Sequence, residues 1–165
     1  MKKQKELNTL PNDLDSFVYE MEDQPKLLAN RIRTPDGTIL HSKHRHDYVT
    51  HEDKNGETYS TDGGIDYAHR SAGHKQHYEE MDVYSDAPHQ EIRAAFHWGT
   101  RGKDGKSPLE WRAIETLSTQ HIEAIIETQH HIPKHIRKVF EDELKYRETL
   151  DENARAWYNE NPDRG

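Results

Sequence analysis

Three turn sequences set the terms for the front half of this chain. Pro35-Asp36-Gly37 lies between Arg31-Ile32-Arg33-Thr34 and Thr38-Ile39-Leu40, Lys54-Asn55-Gly56 lies between Tyr48-Val49-Thr50-His51 and Glu57-Thr58-Tyr59-Ser60, and Asp62-Gly63-Gly64 follows at once. Pro presets φ and Gly accepts φ > 0 without a steric penalty, so Pro-Asp-Gly is a turn with a mechanism. Asn-Gly between runs rich in Val, Thr and Tyr is among the strongest short-range hairpin signals. The segment therefore predicts an antiparallel β-meander of four or five strands over about residues 28–68.

The rest of the chain changes period. Leu14, Phe17, Val18 and Met21 recur at helical spacing and predict a helix over about 12–22, which Pro25 closes off. A second helix is expected over about 86–98, with Pro88 in its first turn, Ile92, Ala95 and Phe96 on one face, and Gly99 as a C-terminal cap. Ser118 is a good N-cap for a helix over about 118–130 with Ile122, Ile125 and Ile126 inward, and Pro133 opens a longer one over about 133–150. That last helix buries Ile136, Val139, Phe140 and Leu144 and carries Glu141 and Lys145 as an i,i+4 pair. Residues 69–84 read as a polar loop, and 109–114 as a weak strand. The expected fold class is α+β: a meander of hairpins packed with three or four helices, in a single domain over 11–150. A flexible tail (1–10) precedes it, and a charged, partly frayed segment (151–165) follows.

Composition narrows function more than fold. The chain is 31% apolar and 33% charged, on the polar side of the globular average, with periodicity too clear for a wholly disordered protein. Its net charge of −8 argues against a general nucleic-acid backbone binder and favours a basic partner surface. Thirteen histidines make that charge pH-sensitive. With no cysteine, disulfides and thiolate metal sites are out. The basic Met1-Lys2-Lys3 start is not followed by an apolar run, so neither a signal peptide nor a bilayer-spanning segment is expected.

Two stretches hold candidate chemistry. The first is His41-Ser42-Lys43-His44-Arg45-His46-Asp47. Imidazole and carboxylate are natural ligands of Zn²⁺ and related ions, so His44, His46 and Asp47 are the candidate metal ligands and a divalent metal is the cofactor they would hold. On a regular strand His44 and His46 share a face while His41 and Asp47 take the other, so a third ligand has to come from His69, His74, His77 or a bulge. The cations Lys43 and Arg45 oppose a metal. HD phosphohydrolases carry His-Asp on helices, which the hairpin surroundings discount; HNH nucleases place a His at the end of the first strand of a ββα unit, and the match is weak because Asp62-Gly63-Gly64 and more polar strand follow the second strand here instead of a His-bearing helix. The second stretch is Trp98-Gly99-Thr100-Arg101-Gly102-Lys103-Asp104-Gly105-Lys106, where Arg101, Lys103 and Lys106 suit phosphates and Trp98 offers a stacking surface. Its expected order, helix–loop–strand, rules out a Walker loop, and a plain basic turn is the alternative. His131 and His135 sit four apart but straddle Pro133, which favours a solvated helix start. The scattered Tyr48, Tyr59, Tyr67, Tyr78 and Tyr84 suit either cross-strand packing or an aromatic binding face.

Leu28-Ala29-Asn30-Arg31-Ile32 through Thr38, Ser42-Lys43-His44-Arg45-His46-Asp47, Asp62-Gly63-Gly64, Phe96-His97-Trp98-Gly99 through Gly105, and His121-Ile122-Glu123-Ala124-Ile125 together resemble a group of small tailed-bacteriophage proteins of unknown function, over about residues 28–147. The resemblance implies a phage accessory protein in the host cytoplasm, acting by binding a host or defence protein, and supplies no catalytic residues. Three readings stand: binding without catalysis; a metal-dependent hydrolase or nuclease on His44, His46 and Asp47; and a nucleotide or phosphate binder on the 101–106 loop. Homo-oligomerisation is compatible with all three.

Overall fold

A computed structural model describes residues 24–65, 67–73 and 77–160. The helix expected at 12–22 lies outside them. The described chain is α+β, with nine strands and four α-helices among these residues.

The three turn sequences build hairpins as predicted, but the strands divide between two sheets. Strands β1 (Leu27–Arg33) and β2 (Ile39–Ser42) pair around the Pro-Asp-Gly turn. Strands β3 (Val49–Glu52) and β4 (Thr58–Gly63) pair around Asn-Gly, and β5 (Ala68–Ala72) adds to β4. Between β2 and β3 the chain turns and starts a new sheet, so no single meander forms. The two sheets meet through polar groups. Asn30, wholly buried on β1, donates from Nδ2 to the carbonyls of Asp62 (2.9 Å) and Gly63 (3.1 Å) and accepts from Arg70 Nε at 3.1 Å. Ser42 Oγ donates to Thr61 Oγ1 at 2.8 Å, both buried.

The stretch expected as a loop at 69–84 holds the end of β5 and two short strands, β6 (Glu79–Glu80) and β7 (Val83–Tyr84). Both pair with β1, one at each end. They are halves of one edge, interrupted where the Asp82 carboxylate accepts the Arg31 amide at 3.0 Å. Such edge pairing comes from tertiary contact and leaves little trace in local pattern.

Helix α1 (His89–Ala95) starts after Pro88 and stops at Phe96, earlier than expected. Trp98 and Gly99 are not its cap but part of β8 (His97–Thr100), which pairs with β9 (Glu110–Ala113) as a two-stranded ribbon. The ladder to β9 overrides the short helix because it satisfies the same backbone groups and leaves Phe96 buried against Phe140, rings 6.0 Å apart and edge-on. A short 3-10 turn (Ile114–Thr116) leads to α2 (Thr119–Thr128), capped as predicted by Ser118, whose hydroxyl accepts the His121 amide at 3.1 Å. Helix α3 (Lys134–Glu148) follows Pro133. In it Glu141 pairs with Arg137 at 3.1 Å, and not with Lys145.

The main core joins β1 to the helices through Leu28, Ile92, Phe96, Ile114, Ile122, Ile136 and Phe140, with Ile126 at its margin. Fully burying each such side chain stabilises by about 1.5–3 kcal/mol. A smaller cluster of Ile32, Leu40 and Tyr59 lies between the sheets. The segment expected to fray contains α4 (Glu152–Glu160), which has no buried residue and is held by Tyr158, whose ring lies under the Arg147 guanidinium at 4.0 Å. No helix among the described residues is long and apolar enough to cross a membrane.

Candidate functional site

Residues 43–47 form a turn between β2 and β3, not a strand. The Asp47 carboxylate accepts the Lys43 amide at 2.8 Å, and the Asp47 amide donates back to the His44 carbonyl at 3.1 Å. A short acidic side chain that closes a turn on its own backbone is doing what Asp does best in loops. The geometry disperses the sequence-predicted ligands. Asp47 is committed to the turn, His46 is exposed, and His44 Nδ1 accepts the His46 amide at 3.3 Å. His69 and His77 are exposed, and His74 lies outside the described residues. No group of three or more His, Asp or Glu among the described residues is placed to hold a metal ion.

The turn instead docks on the β8–β9 ribbon. Opposed residues of an antiparallel pair share a face, so the His97–Ala113 and Gly99–Trp111 pairs present one face, and Trp98–Arg112 and Thr100–Glu110 the other. The His44 ring stacks on Trp111, centroids 4.4 Å apart and planes 21° from parallel. Gly99 makes the stack fit: a Cβ there would lie 3.1 Å from Trp111 Cη2. Gly64 lets the His44 backbone come close, since a Cβ on it would lie 3.2 Å from the His44 carbonyl carbon.

Beside the stack, His41 meets His97 edge-to-face, centroids 4.9 Å apart. His97 Nδ1 donates to the Ala95 carbonyl at 2.8 Å, which leaves its Nε2 as the acceptor nitrogen in the neutral ring. Burial lowers the His41 pKa to about 4; His97, Arg31 and Lys43 push the same way and Asp47 opposes them. Burial lowers His97 as well. Both rings are neutral at pH 7. His41 Nε2 is the one buried side-chain polar atom among the described residues without a hydrogen-bond partner, a cost borne where other buried polar groups are satisfied.

The glycine loop is the tip of the ribbon, so it is flanked by two strands and not by helix and strand. Four of its amides are occupied internally: Ser107 N donates to Arg101 O (2.9 Å), Gly105 N to Gly102 O (3.2 Å), Gly102 N to Thr100 Oγ1 (3.2 Å) and Lys106 N to Asp104 Oδ1 (3.0 Å). Gly102 and Gly105 have φ of 76° and 69°, which requires glycine for ease. A phosphate would meet the exposed Arg101, Lys103 and Lys106 side chains there. Trp98 is half-buried and packs toward the helices, edge-on to Phe140 at 5.1 Å and 90°. Trp111 holds the aromatic position that sequence reasoning gave to Trp98, and His41 and His97 were not singled out. The period-2 pairing of His97–Thr100 with Glu110–Ala113 was the signal that separates the two tryptophans.

Elsewhere two ionic groupings are closed on their own partners. Glu143, wholly buried on α3, accepts from His89 Nε2 (2.8 Å), Arg93 Nε (2.9 Å), Arg93 Nη2 (2.8 Å) and Arg147 Nε (2.9 Å). On the front, His51 Nε2 donates to Asp36 Oδ2 at 2.7 Å and ties the first hairpin to β3. His131 is exposed and His135 half-buried at the start of α3. Of the tyrosines, Tyr59 is core and Tyr48, Tyr67 and Tyr84 are exposed.

No protein-family model matches the chain, and no curated protein or solved structure registers as similar to it.

Proposed function

We propose that the protein is a phage accessory factor that acts by binding a host or defence component, and that it binds with the face made by the 43–47 turn and the outer side of β8–β9. The observation that carries this reading is the His44–Trp111 stack, an aromatic surface kept half-open at the junction of two hairpins. Aromatic anchors of this kind dominate binding surfaces. Leu109, exposed, packs beside it: its Cδ1 lies 3.3 Å from where a Gly99 Cβ would stand. Support for binding over catalysis comes from the chemistry of the neighbouring groups. Glu143, the wholly buried carboxylate, is locked by four donors, and His41 and His97 face each other edge-on while the neighbouring Asp47 carboxylate accepts an amide of its own turn. A hydrolase built on His44, His46 and Asp47 would need those side chains to converge, and the turn spreads them apart.

The test is affinity capture from host extract with the full chain, followed by reconstitution with the purified partner. Binding should survive Lys138→Ala, an exposed change on α3, and be lost in Trp111→Ala. Equal capture by both variants, or substrate turnover that collapses in His41→Ala, would sink the reading.

A further inference from the structure

The outer face of the β8–β9 ribbon carries a definite order of chemistry. At its base lie His97 and His41, with Lys43 and Arg31 close enough to bias both rings electrostatically. In the middle, Gly99 and Trp111 make the flat surface on which His44 rests. At the tip come Arg101, Lys103 and Lys106, all exposed. Arg101 follows directly on the last residue of β8 and opens the loop at the ribbon's tip.

The local charge therefore opposes that of the whole chain. The net charge of −8 suggests a basic partner. Along this strip, however, Lys43, Arg101, Lys103 and Lys106 outnumber the neighbouring carboxylates of Asp47 and Asp104, and both of those accept backbone amides within their own turns. The strip suits an anionic ligand. A flat ring on the same ribbon as the cations makes the match narrower than negative charge alone, because a nucleoside phosphate joins a flat base to an anionic chain.

We propose that this strip is a nucleoside-phosphate site: the base extends the His44–Trp111 stack, and Arg101, Lys103 and Lys106 take the phosphates. The proposal rests on the binding face described above and names its ligand class. Aromatic stacking accepts any base, since every base has a π-face. The lysines act as flexible point charges, while Arg101 can engage a phosphate with two donors. The exposed cations make these chiefly side-chain contacts, which should weaken steeply with salt.

Calorimetric titration of the full chain with ATP, adenosine and inorganic tripolyphosphate as separate probes tests this. ATP should bind with a Kd of about 1 mM or tighter at low salt, and more tightly than either adenosine or tripolyphosphate. Trp111→Ala should weaken ATP about tenfold or more while leaving tripolyphosphate unchanged. Arg101→Ala with Lys103→Ala should weaken both. Should Trp111→Ala fail to fold, Trp111→Phe should retain ATP, and the His44 ring protons of the unaltered protein should shift on ATP addition. No ATP binding, or ATP binding equal to tripolyphosphate and indifferent to Trp111→Ala, overturns the proposal. If ATP fails while Trp111→Ala still abolishes partner capture, the face binds an acidic protein surface: the nucleotide assignment falls and the binding reading stands. If capture also ignores Trp111, both fall.

Discussion

The guanidinium of Arg93 grips the carboxylate of Glu143 in a two-point fork, Nε to Oε2 at 2.9 Å and Nη2 to Oε1 at 2.8 Å, with both side chains nearly sealed from water. The fork fastens α1 to α3, and Arg147 completes it from the next turn of α3. Burial alone would raise the Glu143 pKa, but the two guanidinium groups outweigh it and hold the carboxyl below its usual range. Removing the carboxylate strands two buried cations. Glu143→Ala should therefore cost about 3–5 kcal/mol, far more than the loss of an exposed pair such as Arg33–Glu79, worth about 0–1 kcal/mol. Urea unfolding of both variants measures the difference. A Glu143→Ala cost no larger than that of Glu79→Ala would refute the account.

His41 makes stability depend on mild acid. Its folded pKa of about 4 lies below the ordinary value of 6.5, so between those limits the unfolded chain binds the proton and the folded chain does not. Stability is then full above about pH 6.5 and falls as pH drops toward 4, by up to about 3 kcal/mol, with His97 adding in the same direction. The depressed carboxyls of Asp36 and Glu143 act in a separate, lower window, below about pH 4. His41→Phe keeps an aromatic edge for His97 and removes the base. Urea midpoints measured from about pH 7.5 to 5 should fall in the unaltered protein and stay much flatter in this variant. Parallel curves would show that another group carries the effect.

What was legible in the sequence was the local chemistry: Pro-Asp-Gly and Asn-Gly turns, the Ser118 cap and the isoleucine stripe of α2 all encode their structure within a few residues. What was not legible depended on partners distant in sequence. Val83 and Tyr84 are strand only because β1 is there to pair with, and Trp98 leaves its helix only because β9 returns beside it. The histidine cluster is dispersed for the same reason. Treating 41–47 as one strand divides its side chains by parity, whereas the Asp47 turn breaks the parity and sends His44 to Trp111 and His41 to His97. Neither partner is near in sequence.

Glycines of similar φ should differ sharply in tolerance. Gly56 and Gly63 have φ of 77° and 84°. A Cβ on Gly56 meets nothing within 4 Å, so Gly56→Ala carries only the left-handed backbone penalty, about 1–2 kcal/mol. A Cβ on Gly63 would collide with the carbonyl oxygen and ring of Tyr67, and the Gly63 carbonyl also accepts from Asn30. Gly63→Ala must displace backbone at the joint between the sheets, and should lose about 3 kcal/mol or more. Equal losses, read from thermal or urea unfolding, would mean the Tyr67 segment moves aside freely.

Gly99 makes the converse case, in which a steric clash moves a ring without unfolding the protein. Its φ is not positive, so a side chain brings no backbone strain. Its Cβ would press on Cη2 and Cζ2 of Trp111 at 3.1 and 3.2 Å, and Trp111 is only half-buried, free to tilt outward. Gly99→Val should thus change stability by about 1 kcal/mol or less while lifting the indole from His44. Stacked at 4.4 Å, the His44 ring protons lie in the shielding cone of Trp111 and should resonate upfield of a free imidazole. In Gly99→Val and Trp111→Ala they should return toward free values, and the shift read by NMR reports the stack independently of any ligand. Unchanged His44 shifts in a folded Gly99→Val protein would mean that the glycine does not hold the two rings together, and the binding face would lose its geometric basis.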